Sequence, residues 1–159
     1  MINTATLVSN IITDLTGKTW TSTSGSGTTT FDGIFSFRHW DFQGSPFLVI
    51  LDRPIVGRTD SNKDVFYDTQ IELHICSSWA MVEAQDKDLQ RREAMKNLRE
   101  AWDFLKAYIP KESTLDAWFD GSTAAWTPNI DIEDADIIEL NLYRRIVRIT
   151  LMESVTRLG

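Results

Sequence analysis

Two periodicities divide the middle of this chain. From Val65 to Cys76 the sequence V-F-Y-D-T-Q-I-E-L-H-I-C repeats every two residues. Val65, Tyr67, Thr69, Ile71, Leu73 and Ile75 fall on one side, and Phe66, Asp68, Gln70, Glu72, His74 and Cys76 on the other. That period predicts a strand with one buried face and a second, mostly polar face. After a short connection the period changes to that of a helix running from about Gln85 or Asp86 to Tyr108. Leu89, Met95, Leu98, Trp102, Leu105 and Ile109 make its apolar stripe, while Arg91, Arg92, Glu93, Lys96, Arg99, Glu100 and Asp103 fill the other faces. Pro110 stops it, because proline lacks the N–H that the next turn needs. Such a helix is suited to covering the apolar side of the sheet.

The same reading extends outward in both directions. Thr4 to Leu15 predicts a first helix, with Asn3 or Thr4 as cap, a stripe of Leu7, Val8, Ile11, Ile12 and Leu15, and Gly17 just past the end. Thr21 to Thr30 is polar and Gly/Ser-rich, a loop without the Gly-Lys-Ser/Thr ending of a phosphate cradle. Phe31 to Phe42 reads as an aromatic strand or hairpin arm. Phe47 to Asp52 is an almost unbroken apolar run, hence a central strand covered on both faces and ended by Arg53-Pro54. Lys111 to Gly121 reads as irregular chain or a short helical turn, and Ala125 to Ile132 as a strand. Ile137 to Met152 holds the last one or two strands, with Val147, Ile149 and Leu151 alternating against Arg148 and Thr150. The expected architecture is one α+β domain over residues 1–159, a mainly antiparallel sheet with two packed helices.

Composition narrows the functional classes. The net charge of −7 argues against a protein that grips nucleic acid through its phosphates. No apolar run approaches the roughly 20 residues of a membrane span, and the N-terminus does not read as a signal peptide. Cys76 is the sole cysteine, so an internal disulfide is impossible and a small packed residue is the expected role. Of six tryptophans, only Trp102 falls where the pattern demands a core residue. Trp20, Trp79, Trp118 and Trp126 lie in loops or near element ends, where aromatic residues either cap the core or anchor interfaces.

Candidate chemistry is sparse. Asp131, Glu133, Asp134 and Asp136 form the dense carboxylate cluster, which reads as a solvated acidic turn or as oxygen ligands for a hard cation such as magnesium. The spacing is not that of a calcium loop, because no glycine supplies the turn. Arg144, Arg145 and Arg148 follow closely. They make a solvated strand face, pair with the acidic stretch within the chain or, in a ring of identical subunits, pair with it across a heterologous contact. His74 lies on the polar strand face beside Glu72 and Cys76. Zinc would need more ligands than this trio offers, so a hydrogen-bonded surface or interface histidine is expected. No Gly-x-Ser-x-Gly elbow is present.

The element order resembles the lambda-like family of phage tail-terminator proteins. The N-terminal helix ahead of a Gly-rich loop and F-D-G (Phe31 to Gly33), the run F-L-V-I-L-D, and D-T-Q-I-E-L-H-I (Asp68 to Ile75) before a tryptophan-bearing helix carry the likeness. A C-terminal strand ending in Leu-Met-Glu completes it. The loop at Thr21 to Thr30 and the segment between Pro110 and Trp126 are longer than the family pattern. The resemblance implies a virion subunit without enzymatic activity, assembled in the host cytoplasm as a ring, hexameric in the family, at the head-proximal end of the tail. It implies as partners further copies of itself, the tail-tube protein and the head–tail connector, with DNA passing through the lumen unbound. It also implies magnesium linked to assembly, for which Asp131 to Asp136 is the place to look, without a residue-level match. Interface residues are then expected among Trp79, Trp118, Trp126, Arg144, Arg145 and Arg148. The rivals are a neck or connector-completion protein, a small metal-dependent hydrolase using Asp131, Glu133 and Asp136, and a monomeric binding module.

Overall fold

Two strands of 15 residues each form the spine of the molecule. The computed structural model describes residues 4–22, 28–54, 58–59, 64–79, 87–119, 131–137 and 141–156, with backbone alone at 54, 58–59, 64–69, 131–137 and 150–156. In chain order the elements are α1 (Thr4–Leu15), β1 (Trp20–Thr21), β2 (Thr28–Thr29), β3 (Ile34–Phe35), β4 (Phe47–Pro54), β5 (Arg58–Thr59), β6 (Asp64–Ser78), α2 (Lys87–Tyr108), α3 (Glu112–Phe119), β7 (Asp131–Ile137) and β8 (Leu142–Thr156). The main sheet runs β3-β4-β6-β8-β7, with β5 also on β6. Only β3 and β4 are parallel; every other pairing in it is antiparallel. β1 and β2 make a separate two-stranded ribbon. The fold is α+β with a mostly antiparallel sheet, as the periodicities predict.

The helices cover one face of this sheet. Ile71, Leu73 and Ile75 of β6, Leu48 and Ile50 of β4, and Val147 and Ile149 of β8 meet Leu7, Ile11 and Leu15 of α1 and Leu98, Ala101, Trp102 and Leu105 of α2. Burying each large apolar side chain contributes roughly 1.5–3 kcal/mol, so this layer dominates the stability. A carboxylate ties the helices together. Asp14 Oδ2 on α1 accepts from Tyr108 Oη at the end of α2 (2.7 Å) and from Trp118 Nε1 on α3 (2.9 Å). Asn10 Nδ2 donates to the Trp118 carbonyl (3.0 Å) in the same junction.

Several expectations hold and several are corrected. α1 has the expected bounds, and Gly17 sits beyond it at φ +82°, a left-handed conformation that suits glycine. β4 is buried on both faces from Phe47 to Ile50. Leu89, expected in the stripe of α2, is 57% exposed, because the buried residues of that helix start only at Ala94. Glu100, expected on an outer face, is buried, so α2 packs over a wider arc than its apolar stripe. Phe31 to Phe42 contributes only the two-residue β3; the rest is loop. The segment after Pro110 forms a third helix. Its L-D-A-W-F turn buries Trp118 and Phe119. Of the strand expected at Ala125 to Ile132, residues 120–130 lie outside the described part, and Asp131 and Ile132 open the strand β7, Asp131–Ile137.

Candidate functional site

The sheet's second face is where the sequence placed its polar residues, and it is closed. From Ile71 to Ser77 every residue of β6 is buried, on both sides. Phe47 and Val49 of β4, Cys76 of β6 and Leu142 of β8 form a small second core, against which Phe35, Trp40, Phe42 and Leu51 pack. Among the described residues no helix reaches this cluster. The loop after β3 covers it, through edge-to-face contacts of Phe35 with Phe42 (4.8 Å) and of Phe42 with Phe47 (5.2 Å).

Cross-strand register explains the polar centre of this face. β6 pairs Glu72 with Leu51 of β4 on one side and with Arg148 of β8 on the other. Arg148 Nε donates to Glu72 Oε2 (3.0 Å), Arg53 Nε forms an ion pair with Oε1 (2.8 Å), and His74 Nε2 lies 3.3 Å from Oε1. One carboxylate, 1% exposed, thus holds partners on β4, β6 and β8. Burial by itself would raise the Glu72 pKa. Hydrogen bonds from Arg148 and His74, and the charge of Arg53, outweigh it and leave the carboxyl below its usual range. His74 is 2% exposed. Desolvation pulls its pKa down to about 4, aided by the Arg144 and Arg53 charges and only partly opposed by Glu72. Near neutrality it is therefore an uncharged ring that donates through Nε2. Its Nδ1 has no hydrogen-bond partner. Trp40 lies on that ring (5.1 Å) and carries the Arg144 guanidinium on its own ring (5.3 Å).

The chemistry of this cluster is structural. Cys76 is buried, and desolvation pushes its thiol up to about 12, in keeping with a packed residue. His74 is hydrogen-bonded as expected, but it is not a surface histidine, because Trp40 and the loop cover it. Glu72, His74 and Cys76 share a face without converging on a common centre. Glu72 is engaged by arginines, and the Cys76 thiol points to the His74 carbonyl (3.6 Å). Among the described residues no group of three His, Cys, Asp or Glu could hold a metal ion.

The expected interface residues are dispersed. Trp118 is fully buried, donating to Asp14. Trp79 is 4% exposed, packed on Tyr143 (4.5 Å) and beneath Arg91 (5.4 Å). Both pack within the fold and offer little surface to a partner. Trp20 is likewise buried, stacked on Phe104 (5.0 Å). Trp126 lies outside the described residues. The three arginines do not form one patch. Arg144 and Arg148 belong to the second face, whereas Arg145 lies over Trp102 (5.7 Å) on the helix side. The acidic stretch is not a turn but strand β7, with Asp131 in register with Arg148, Glu133 with Ile146, Asp134 with Arg145 and Asp136 with Tyr143. In backbone register, then, Asp131 is the neighbour of Arg148 and Asp134 of Arg145. Positions 131 and 133 fall on one face of the sheet, and 134 and 136 on the other. The side chains of these four residues, proposed as cation ligands, lie outside the described part.

Sequence reasoning missed the Arg53–Glu72–Arg148 clasp. The available signal was charge alternation: Glu72 sits mid-strand between Ile71 and Leu73, and Arg148 between Val147 and Ile149. Two opposite charges at apolar-flanked positions of long strands invite pairing. Neither a family model nor a curated protein matches this chain.

Proposed function

We propose that this chain is a structural virion subunit, a tail terminator that assembles as a homo-oligomeric ring at the head-proximal end of a phage tail tube. In this reading it ends tube growth and offers the surface on which the head–tail connector docks. The observation that carries the proposal is the order of elements along the chain. An N-terminal helix precedes F-D-G, the F-L-V-I-L-D strand, a 15-residue strand, a 22-residue covering helix and a 15-residue C-terminal strand. The engagement of Glu72 by arginines of the two neighbouring strands, with His74 and Cys76 buried beside it, also fits a scaffold, whose recognition lies on its outer surfaces. A net charge of −7 suits a lumen through which DNA slides without sticking.

The test is capping. Purified tail-tube protein is allowed to polymerise with and without this protein, and tube length and tube ends are read by negative-stain electron microscopy. Shortened tubes with extra density at one end support the terminator reading. Unchanged tubes, with the protein bound instead to connector rings, favour the neck protein. Binding to neither refutes both.

A further inference from the structure

We propose that residues 36–43 form an acid-opened strap over the helix-free face of the sheet, with His74 beneath Trp40 as the group whose protonation opens it. The inference is independent of the tail-terminator reading. The strap is fastened at its two ends. Phe35 is in register with Val49 of β4, and Leu48 N donates to the Gly33 carbonyl (2.9 Å). At the other end Gly44 and Ser78 are triply linked: Ser78 N (2.9 Å) and Ser78 Oγ (2.8 Å) donate to the Gly44 carbonyl, and Gly44 N donates to Ser78 Oγ (2.9 Å). Between these anchors, among the described residues, the polar contacts stay inside the segment: Phe42 N to the His39 carbonyl, Gln43 Nε2 to the Asp41 carbonyl, and His39 with Asp41. Ring packing and the Arg144 guanidinium over Trp40 (5.3 Å) hold residues 36–43 down.

Beneath the strap lies a group that resists protonation in place. With His74 Nε2–H directed to Glu72, Nδ1 keeps a lone pair and has no partner. A proton there would create a buried cationic donor without an acceptor, a costly state in a water-free site. The surroundings oppose that charge. Arg53 approaches from β4 and Arg144 and Arg148 from β8, while Glu72 is already paired with the Arg53 and Arg148 guanidinium groups. Cys76, on the same strand, stays a neutral thiol, and the strap contributes His39 with Asp41 beside it. Admitting water to Nδ1 relieves the conflict, and Trp40, partly exposed and resting on the His74 ring, is the residue to displace. In the closed form His74 titrates at about 4, against an ordinary 6.5 once solvated. By linkage the open population then grows about tenfold for each pH unit below 6.5, or about a hundredfold by pH 4.5.

Cys76, fully buried in the small core under the strap, is the reporter. Its reaction with dithiodipyridine, a thiol reagent that works in acid, is followed from pH 7.5 to pH 4.5 and normalised to a small thiol, with far-UV circular dichroism recorded in parallel. The expected result is a rise of about a hundredfold at unchanged dichroism. His74→Gln keeps a donor for Glu72 but cannot be charged, so its profile is expected to be flat, whereas His39→Gln is expected to behave as wild type. Trp40→Ala removes the cover and is expected to make Cys76 reactive already at pH 7.5, which keeps the test decisive if His74→Gln fails to fold. A flat wild-type profile overturns the proposal. So do an equal rise in His74→Gln, a rise lost in His39→Gln, protection retained in Trp40→Ala, and a rise that coincides with loss of dichroism.

Discussion

Two carboxylates each bind three elements of this molecule, and they do it by different physics. Asp14 joins α1, α2 and α3 by accepting from a phenol and an indole, both neutral donors, at a half-buried site. Glu72, itself buried, joins β4, β6 and β8 by accepting from Arg148 and His74 and by pairing with the Arg53 charge. A neutral junction adds modestly and fails gently. A buried charged one contributes little net stability beyond an apolar replacement, yet costs much when one partner is removed, because the remaining charges stay buried. The two faces of the sheet therefore carry different liabilities.

The largest difference is expected on deletion. Glu72→Ala strands Arg148 and His74 and should lower the unfolding free energy by about 3–5 kcal/mol. Asp14→Ala, which leaves the Tyr108 hydroxyl and the Trp118 N–H without an acceptor, should cost about 1–3 kcal/mol. Urea unfolding of the two variants measures both, and equal losses would erase the contrast.

The pH responses should then diverge in direction. His74 has a folded pKa of about 4 against 6.5 unfolded, so the unfolded chain binds the extra proton between those values. Stability is full above pH 6.5 and falls as pH drops toward 4, by up to about 3 kcal/mol. Glu72, with its lowered folded pKa, adds to the loss below its usual range. Tyr108 is shifted the other way. Burial, then the hydrogen bond and charge of Asp14, raise its phenol above 10. The folded form keeps a proton that the unfolded chain releases, so the Asp14 junction weakens as pH rises beyond 10. Unfolding midpoints across pH 4–11 check both limbs. His74→Gln should flatten the acid limb, and Tyr108→Phe the alkaline one.

The smallest expected effect sharpens the strand junction itself. Arg53 is 54% exposed at the side chain, so solvent screens its pairing with Glu72. Arg53→Ala should cost about 1 kcal/mol or less, well under Arg148→Ala, whose side chain is 21% exposed. Similar losses for the two would mean that water screens neither.

These junctions also mark where the sequence was legible. α1 could be read to the residue because cap, stripe and terminal glycine agree. β4 and β6 could be read because their periods are strong. The helix-facing core followed from those patterns. The second face did not, because period two assigns Glu72, His74 and Cys76 to a common side without saying what covers it. Its cover comes from a loop, Phe35 to Phe42, whose aromatic run imitates a strand. The pairing of Glu72 with Arg148 depends on the β6–β8 register across about 70 intervening residues, which no local pattern encodes. Trp118 misled for a related reason: an eight-residue helix after a proline gives too few turns for its periodicity to declare a buried side.

The most direct measurement of the ring reading is solution mass, by light scattering after gel filtration over a concentration series with and without magnesium. A closed oligomer, six subunits by the family resemblance, is the predicted result, present outright or driven by magnesium or by tail-tube protein. A monomer at every concentration, with magnesium and tail-tube protein both present, would contradict it.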